Sequence, residues 1–126
     1  MATKNKTLAR IEARGESTFF GVSLSSFVGG QAEIQNPPEG YLYRGDIERI
    51  RLGQDTSGKY LEIRFAWLAK RDEAGWVEDE IKDYKVHLAM YSVSDIGDGR
   101  IFLQCPYTGE GTTLFPRGGS ALTKPF

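Results

Sequence analysis

The 126-residue chain holds one cysteine, Cys105, and one histidine, His87. A lone cysteine has no intrachain disulfide partner, and one residue of each kind is too few for a Cys/His zinc site. Proline is sparse at five, two of them adjacent at Pro37 and Pro38. Long apolar runs are missing, and nothing approaches the roughly 18–20 residues that a membrane-spanning helix requires. Residues 1–7, Met-Ala-Thr-Lys-Asn-Lys-Thr, lack the apolar stretch of a signal peptide. Net charge is close to absent at −1, which argues against a bulk polyanion binder with a dense basic surface. These absences predict a protein of a reducing, cytoplasmic setting, with no metal, no cofactor and no membrane partner.

Glycine and aromatics are plentiful: fifteen glycines, seven phenylalanines, six tyrosines and two tryptophans. That composition points to a turn-rich β protein with an aromatic core, and the length suits one ordinary domain. Residues 1–17 mix Lys, Arg, Glu and Thr around Leu8 and Ile11 and read as a flexible N-terminal arm. Residues 18–126 then form a single β domain. The neutral total hides an asymmetry: residues 1–71 carry eleven Lys/Arg against eight Asp/Glu, and residues 72–126 carry five against nine.

Phe20, Val22 and Leu24 alternate with Gly21, Ser23 and Ser25, the period of a half-buried strand closed by Gly29-Gly30. Residues 29–46 show no clear periodicity, and Pro37-Pro38 bars them from a central strand. They read as a long loop. Arg44-Gly45-Asp46 within it matches an integrin-binding tripeptide but serves better as the turn into the next strand.

The clearest element is a hairpin. Ile50 and Leu52 alternate with Arg49 and Arg51; beyond the loop Gly53–Gly58, Leu61, Ile63, Phe65 and Trp67 alternate with Tyr60, Glu62, Arg64 and Ala66. Folding about that loop sets Ile50 against Leu61 inside, and Arg49 against Glu62 and Arg51 against Tyr60 outside. Lys70–Gly75 forms a second turn. Residues 78–93 admit two readings, since Tyr84, Val86, Leu88 and Met90 alternate as in a strand while Ile81, Tyr84, Leu88 and Tyr91 keep helical spacing; the valines and tyrosines favour the strand. Ile96–Gly99 is a turn, Arg100–Cys105 a short strand with Ile101, Leu103 and Cys105 on one face, and Thr112–Phe115 a last strand. The expected fold is mainly β, a small antiparallel barrel or curled sheet, OB-like or SH3-like, of five to six strands with at most one short helix.

Catalytic chemistry finds no foothold. No serine occupies a Gly-x-Ser-x-Gly elbow, His87 reads as a partly exposed strand residue, and Cys105 reads as a small buried hydrophobe with nothing local to lower its pKa. What remains is a surface. Arg49, Arg51, Tyr60 and Arg64 face outward on the hairpin, with Lys70 and Arg71 near one end, and arginine interleaved with tyrosine on a sheet is the chemistry of single-stranded DNA or RNA binding. The expectation is therefore a non-catalytic binding module contacting single-stranded nucleic acid. The alternative is a protein-interaction or structural subunit that self-associates or docks on another protein, using Tyr41 and Tyr43 of the 29–46 loop. A third option is a small-ligand pocket lined by Trp67, Trp76 and Tyr91.

Overall fold

Residues 18–37, 40–80 and 83–118 are described in a computed structural model, and ten strands run through them. In chain order they are β1 (Thr18–Phe19), β2 (Val22–Ser23), β3 (Gln31–Asn36), β4 (Tyr41–Asp55), β5 (Gly58–Asp72), β6 (Gly75–Asp79), β7 (Asp83–His87), β8 (Ser92–Gly97), β9 (Arg100–Gln104) and β10 (Gly111–Phe115). The expected arm at residues 1–17 lies outside the described residues. β1 and β2 form a two-stranded ribbon; the other eight join one antiparallel sheet in the order β6-β5-β4-β3-β10-β9-β8, with β7 also paired to β5. No helix among the described residues is long and apolar enough to cross a membrane.

The sheet is mainly antiparallel β as expected, but it is larger than the five or six strands anticipated. Among the described residues no ladder joins β6 or β7 to β8, so no closed barrel forms. The sheet nonetheless curls. β7 and β10 lie four strand steps apart through β5, β4 and β3, about 19 Å if the sheet were flat, yet the hydroxyls of Tyr84 and Thr112 meet at 3.3 Å. The concave side holds the core, in which Phe27, Phe65, Leu61, Ile63, Ile101, Leu103 and Leu114 are fully buried.

Four local expectations are corrected. The alternating strand at residues 20–24 is broken up: Phe20 and Gly21 make a hairpin turn with positive φ (54° and 78°), only Val22–Ser23 is strand, and Leu24–Phe27 winds into a 3-10 turn that buries Leu24 and Phe27. The long loop at 29–46 contains β3 and the start of β4. There Ala32 and Ile34 are buried while Gln31, Glu33 and Gln35 are not, and of the described residues in this span only Gly29, Gly30, Pro37 and Gly40 stay outside the strands. Arg44-Gly45-Asp46 therefore sits inside β4 and makes no turn, and Gly45 is required there because a Cβ would lie 2.5 Å from the Trp67 carbonyl and 2.8 Å from the Phe65 ring. Residues 83–87 do form the favoured strand, but Leu88–Met90 is a second 3-10 turn and β8 starts afresh at Ser92.

The hairpin itself shows the sharpest correction. Its strands continue to Asp55 and restart at Gly58, leaving Thr56-Ser57 as a two-residue turn. Asp55 accepts the Ser57 N–H at 2.8 Å, which holds that turn. Pairing is consequently displaced by two residues, setting Ile50 against Ile63, Leu52 against Leu61, Arg51 against Glu62 and Arg49 against Arg64. A displacement of two preserves the faces, so the apolar residues stay inside. Farther along, Ala66 on β5 and Glu48 on β4 each lack an opposite number, giving two bulges on facing strands.

Candidate functional site

Alternation along the strands decides which proposed site residues share a surface. Arg49, Arg51, Tyr60, Arg64 and Arg71 all lie on the outer, convex face of the sheet. Lys70, between buried Ala69 and Arg71, points the other way, and its Nζ sits 4.3 Å from the ring centroid of Tyr41. The sequence therefore grouped one residue too many.

Carboxylates are threaded through the outer face. Arg51 pairs with Glu62 at 2.6 Å and Arg64 with Asp83 at 3.2 Å. The expected pairings, Arg49 with Glu62 and Arg51 with Tyr60, do not occur because of the two-residue displacement. Instead the Tyr60 ring lies across Gly53, where a Cβ would sit 2.5 Å from it, and carries the Lys85 ammonium 4.3 Å from its centroid. His87, also beside that ring, approaches Asp55 at 3.3 Å. The Ser57 N–H, chiefly, and His87 hold the Asp55 carboxyl below its usual range. At the far end Arg44 pairs with Glu33 at 3.1 Å and stacks over Trp76, 4.8 Å from its centroid. Arg44 lies on β4 and Trp76 on β6, so they meet across β5, above the small side chain of Ala69.

The concave side carries a second constellation that sequence reasoning missed. A cleft of about 230 Å³ is lined by Ile34, Asn36, Tyr43, Leu68, Asp83, Tyr84 and Glu110. Its floor is apolar, with Ile34 and Leu68 both buried. The Tyr91 hydroxyl donates to Glu110, which the tight loop after β9 presents; that loop is closed by the Cys105 N–H to the Glu110 carbonyl at 2.8 Å. Burial pushes Tyr84 up to about 12, with the Glu110 charge adding to the rise against the Thr112 hydrogen bond. Burial and the bond to Glu110 likewise raise Tyr91.

Tyr41 and Tyr43 stand at the rim of this cleft. They were expected on a loop but open β4, packed edge to face with centroids 6.1 Å apart. Lys70, the cross-strand neighbour of Tyr43, also lines a shallower depression of about 400 Å³ with Val77, Glu78, Asp79 and Glu80. The trio Trp67, Trp76 and Tyr91 is not brought together: both tryptophans lie on the convex face and Tyr91 on the concave one. Cys105 is buried as expected, but a local group does act on it, since hydrogen bonding from Thr108 holds its thiol below the usual range.

No family model, curated protein or solved structure matches this chain. Its function must be argued from its own residues. The signal for the cleft was distributed: Tyr43 and Tyr84 belong to the inward alternation of their strands, whereas Glu110 sits between glycines that read as turn chemistry. Nothing local joins residues 36, 84 and 110; the curl of the sheet does.

Proposed function

We propose that this chain is a non-catalytic binding module that docks on another protein through the concave face of its sheet. The observation that carries this reading is the Tyr43–Tyr84–Glu110 cleft opening beside the Tyr41–Lys70 pair and Val77, which is 58% exposed. An apolar floor with a few convergent polar groups is the usual chemistry of a recognition pocket. The proposal includes a curled sheet of the OB-like or SH3-like kind, with that concavity as its working side, in a reducing, cytoplasmic compartment.

A foreign partner is favoured over a second copy by how the sheet ends. β8 is bulged at Ile96, and Arg100 binds the carbonyls of Ile96 and Gly97 at 3.3 and 3.1 Å. β6 ends in Glu78 and Asp79, and Glu80 follows it, so a second copy approaching this end of the edge would bring like charges together. Bulges and like charge are the devices that keep edges from self-pairing.

Selection from a library of random linear peptides tests the docking reading. The wild-type chain should enrich a related family of peptides, and Tyr41→Ala should cut their binding at least tenfold. No enrichment, or enrichment indifferent to Tyr41→Ala, would refute it. Light scattering over a concentration series separates the self-associating alternative, which requires a mass above that of one chain.

Single-stranded DNA or RNA is a second reading, supported by Arg49, Arg51, Arg64, Arg71 and Lys85 sharing the convex face with Tyr60 and Trp76. Glu62 and Asp83 count against it by compensating two of those cations. Nucleic-acid binding requires affinity that falls steeply with salt, and a smaller slope for Arg51→Ala with Arg64→Ala.

A further inference from the structure

We infer that the concave cleft accepts the ammonium group of a lysine side chain presented by the docked protein, an inference that rests on the docking reading above. Size gives the first reason. At about 230 Å³ the cleft falls below the roughly 300–1,000 Å³ of pockets that enclose drug-sized ligands, and it suits one long side chain. Chemistry gives the second. Ile34 and Leu68 offer an apolar floor for a four-carbon stem, Tyr43 and Tyr84 offer aromatic walls, and Glu110 offers a carboxylate held in place by the Tyr91 hydroxyl. Among the described lining residues two are carboxylates and none is a cation.

Asp83, the second carboxylate, is engaged by Arg64 from the convex side, so Glu110 is the counter-ion that faces the cleft. An ammonium group between tyrosine faces and a carboxylate gains both a charge-assisted hydrogen bond and a cation–π contact. This chain already uses the second contact twice on its own lysines, Lys70 on Tyr41 and Lys85 on Tyr60, each at 4.3 Å. Around the neighbouring depression Glu78, Asp79 and Glu80 outnumber Lys70, leaving a net negative charge that complements a basic segment and steers its approach.

The test is an NMR titration of the full chain with three probes: Nα-acetyl-lysine methylamide, its norleucine counterpart with the same stem and no charge, and butylammonium chloride. The lysine derivative should give saturable shifts at Ile34, Leu68 and Tyr84, and the norleucine derivative should bind at least tenfold more weakly. Butylammonium, lacking the backbone that reaches the Tyr41 rim, should also be the weaker ligand. Glu110→Gln, which keeps the shape of the side chain, should cost at least tenfold in lysine affinity. No saturable shift, equal binding of norleucine, or an indifferent Glu110→Gln would overturn the inference. Butylammonium binding as tightly as the lysine derivative would overturn it too, assigning the cleft to free amines. The norleucine comparison uses the wild-type chain and decides the matter even if Glu110→Gln folds poorly. A selected peptide family without lysine would remove this inference and leave protein docking standing, whereas lysine binding with no selected peptide would remove docking itself.

Discussion

The two faces of the β4–β5 hairpin are built from the same backbone and do different work. On the concave side Ile50 meets Ile63 and Leu52 meets Leu61, with Ile63, Leu61 and Phe65 fully buried. On the convex side Arg51 meets Glu62 and Arg64 reaches Asp83 in water, with the two arginine side chains 54% and 44% exposed. Apolar burial is worth about 1.5–3 kcal/mol per large side chain, whereas an exposed ion pair contributes about 0–1 kcal/mol. Stability should therefore reside in the concave face, and the ion pairs of the convex face are left chiefly to set register.

That division leads to tests of decreasing size. Phe65→Ala removes a ring from the concave side and should cost about 3–5 kcal/mol in urea unfolding. Next, alkaline pH acts on the same side through Tyr84. An unfolded tyrosine ionises near 10, but the folded chain holds this proton until about 12. The extra stability is thus complete below pH 10 and is lost as pH rises through 12, by an amount on the order of 2 kcal/mol. Melting temperatures taken between pH 9 and 12 should show that loss, and Tyr84→Phe should reduce it, the raised Tyr91 supplying what remains.

Two glycines then separate the faces directly. Gly45→Ala drives a methyl into the Trp67 carbonyl and the Phe65 ring, neither able to retreat, and should cost about 1–3 kcal/mol. Gly53→Ala meets first the outward Tyr60 ring, which can swing into water, so its cost in the same unfolding assay should be the smaller. Smallest of all, a double-mutant cycle on Arg51 and Glu62 should return about 0.2–1 kcal/mol and shrink in high salt. A cycle larger than the Phe65→Ala effect would reverse the assignment of the two faces.

The inward set of this hairpin was legible in the residues because period-two alternation survives any even displacement. Its partner pairs were not, because Gly53-Gln54-Asp55 reads as loop chemistry while its backbone stays in the ladder. β3 was missed for a related reason: its inward apolar residues are only Ala32 and Ile34, and the adjacent Pro37-Pro38 dominates the local pattern. The tight turn after Phe19 escaped because Phe20, the residue it turns on, has no local preference for positive φ. At the candidate site Arg49, Arg51, Tyr60 and Arg64 could be assigned to one face, but their counter-ions could not all be named, since Asp83 arrives from a strand nineteen residues away. The cleft depends wholly on curvature, which no window along the chain encodes.

The paired bulges at Glu48 and Ala66 carry a consequence for how this chain can vary. Each adds one residue to its own strand at nearly the same level, so the ladder returns to step beyond them. Because neither residue has a partner across the ladder, losing either one would remove only its own bulge, and losing both would leave a regular ribbon; in each case every other partner and face is unchanged. Single-residue gaps at Glu48 or at Ala66 should accordingly be tolerated one at a time, each straightening its own strand, whereas a gap at a paired neighbour such as Ile50 should not.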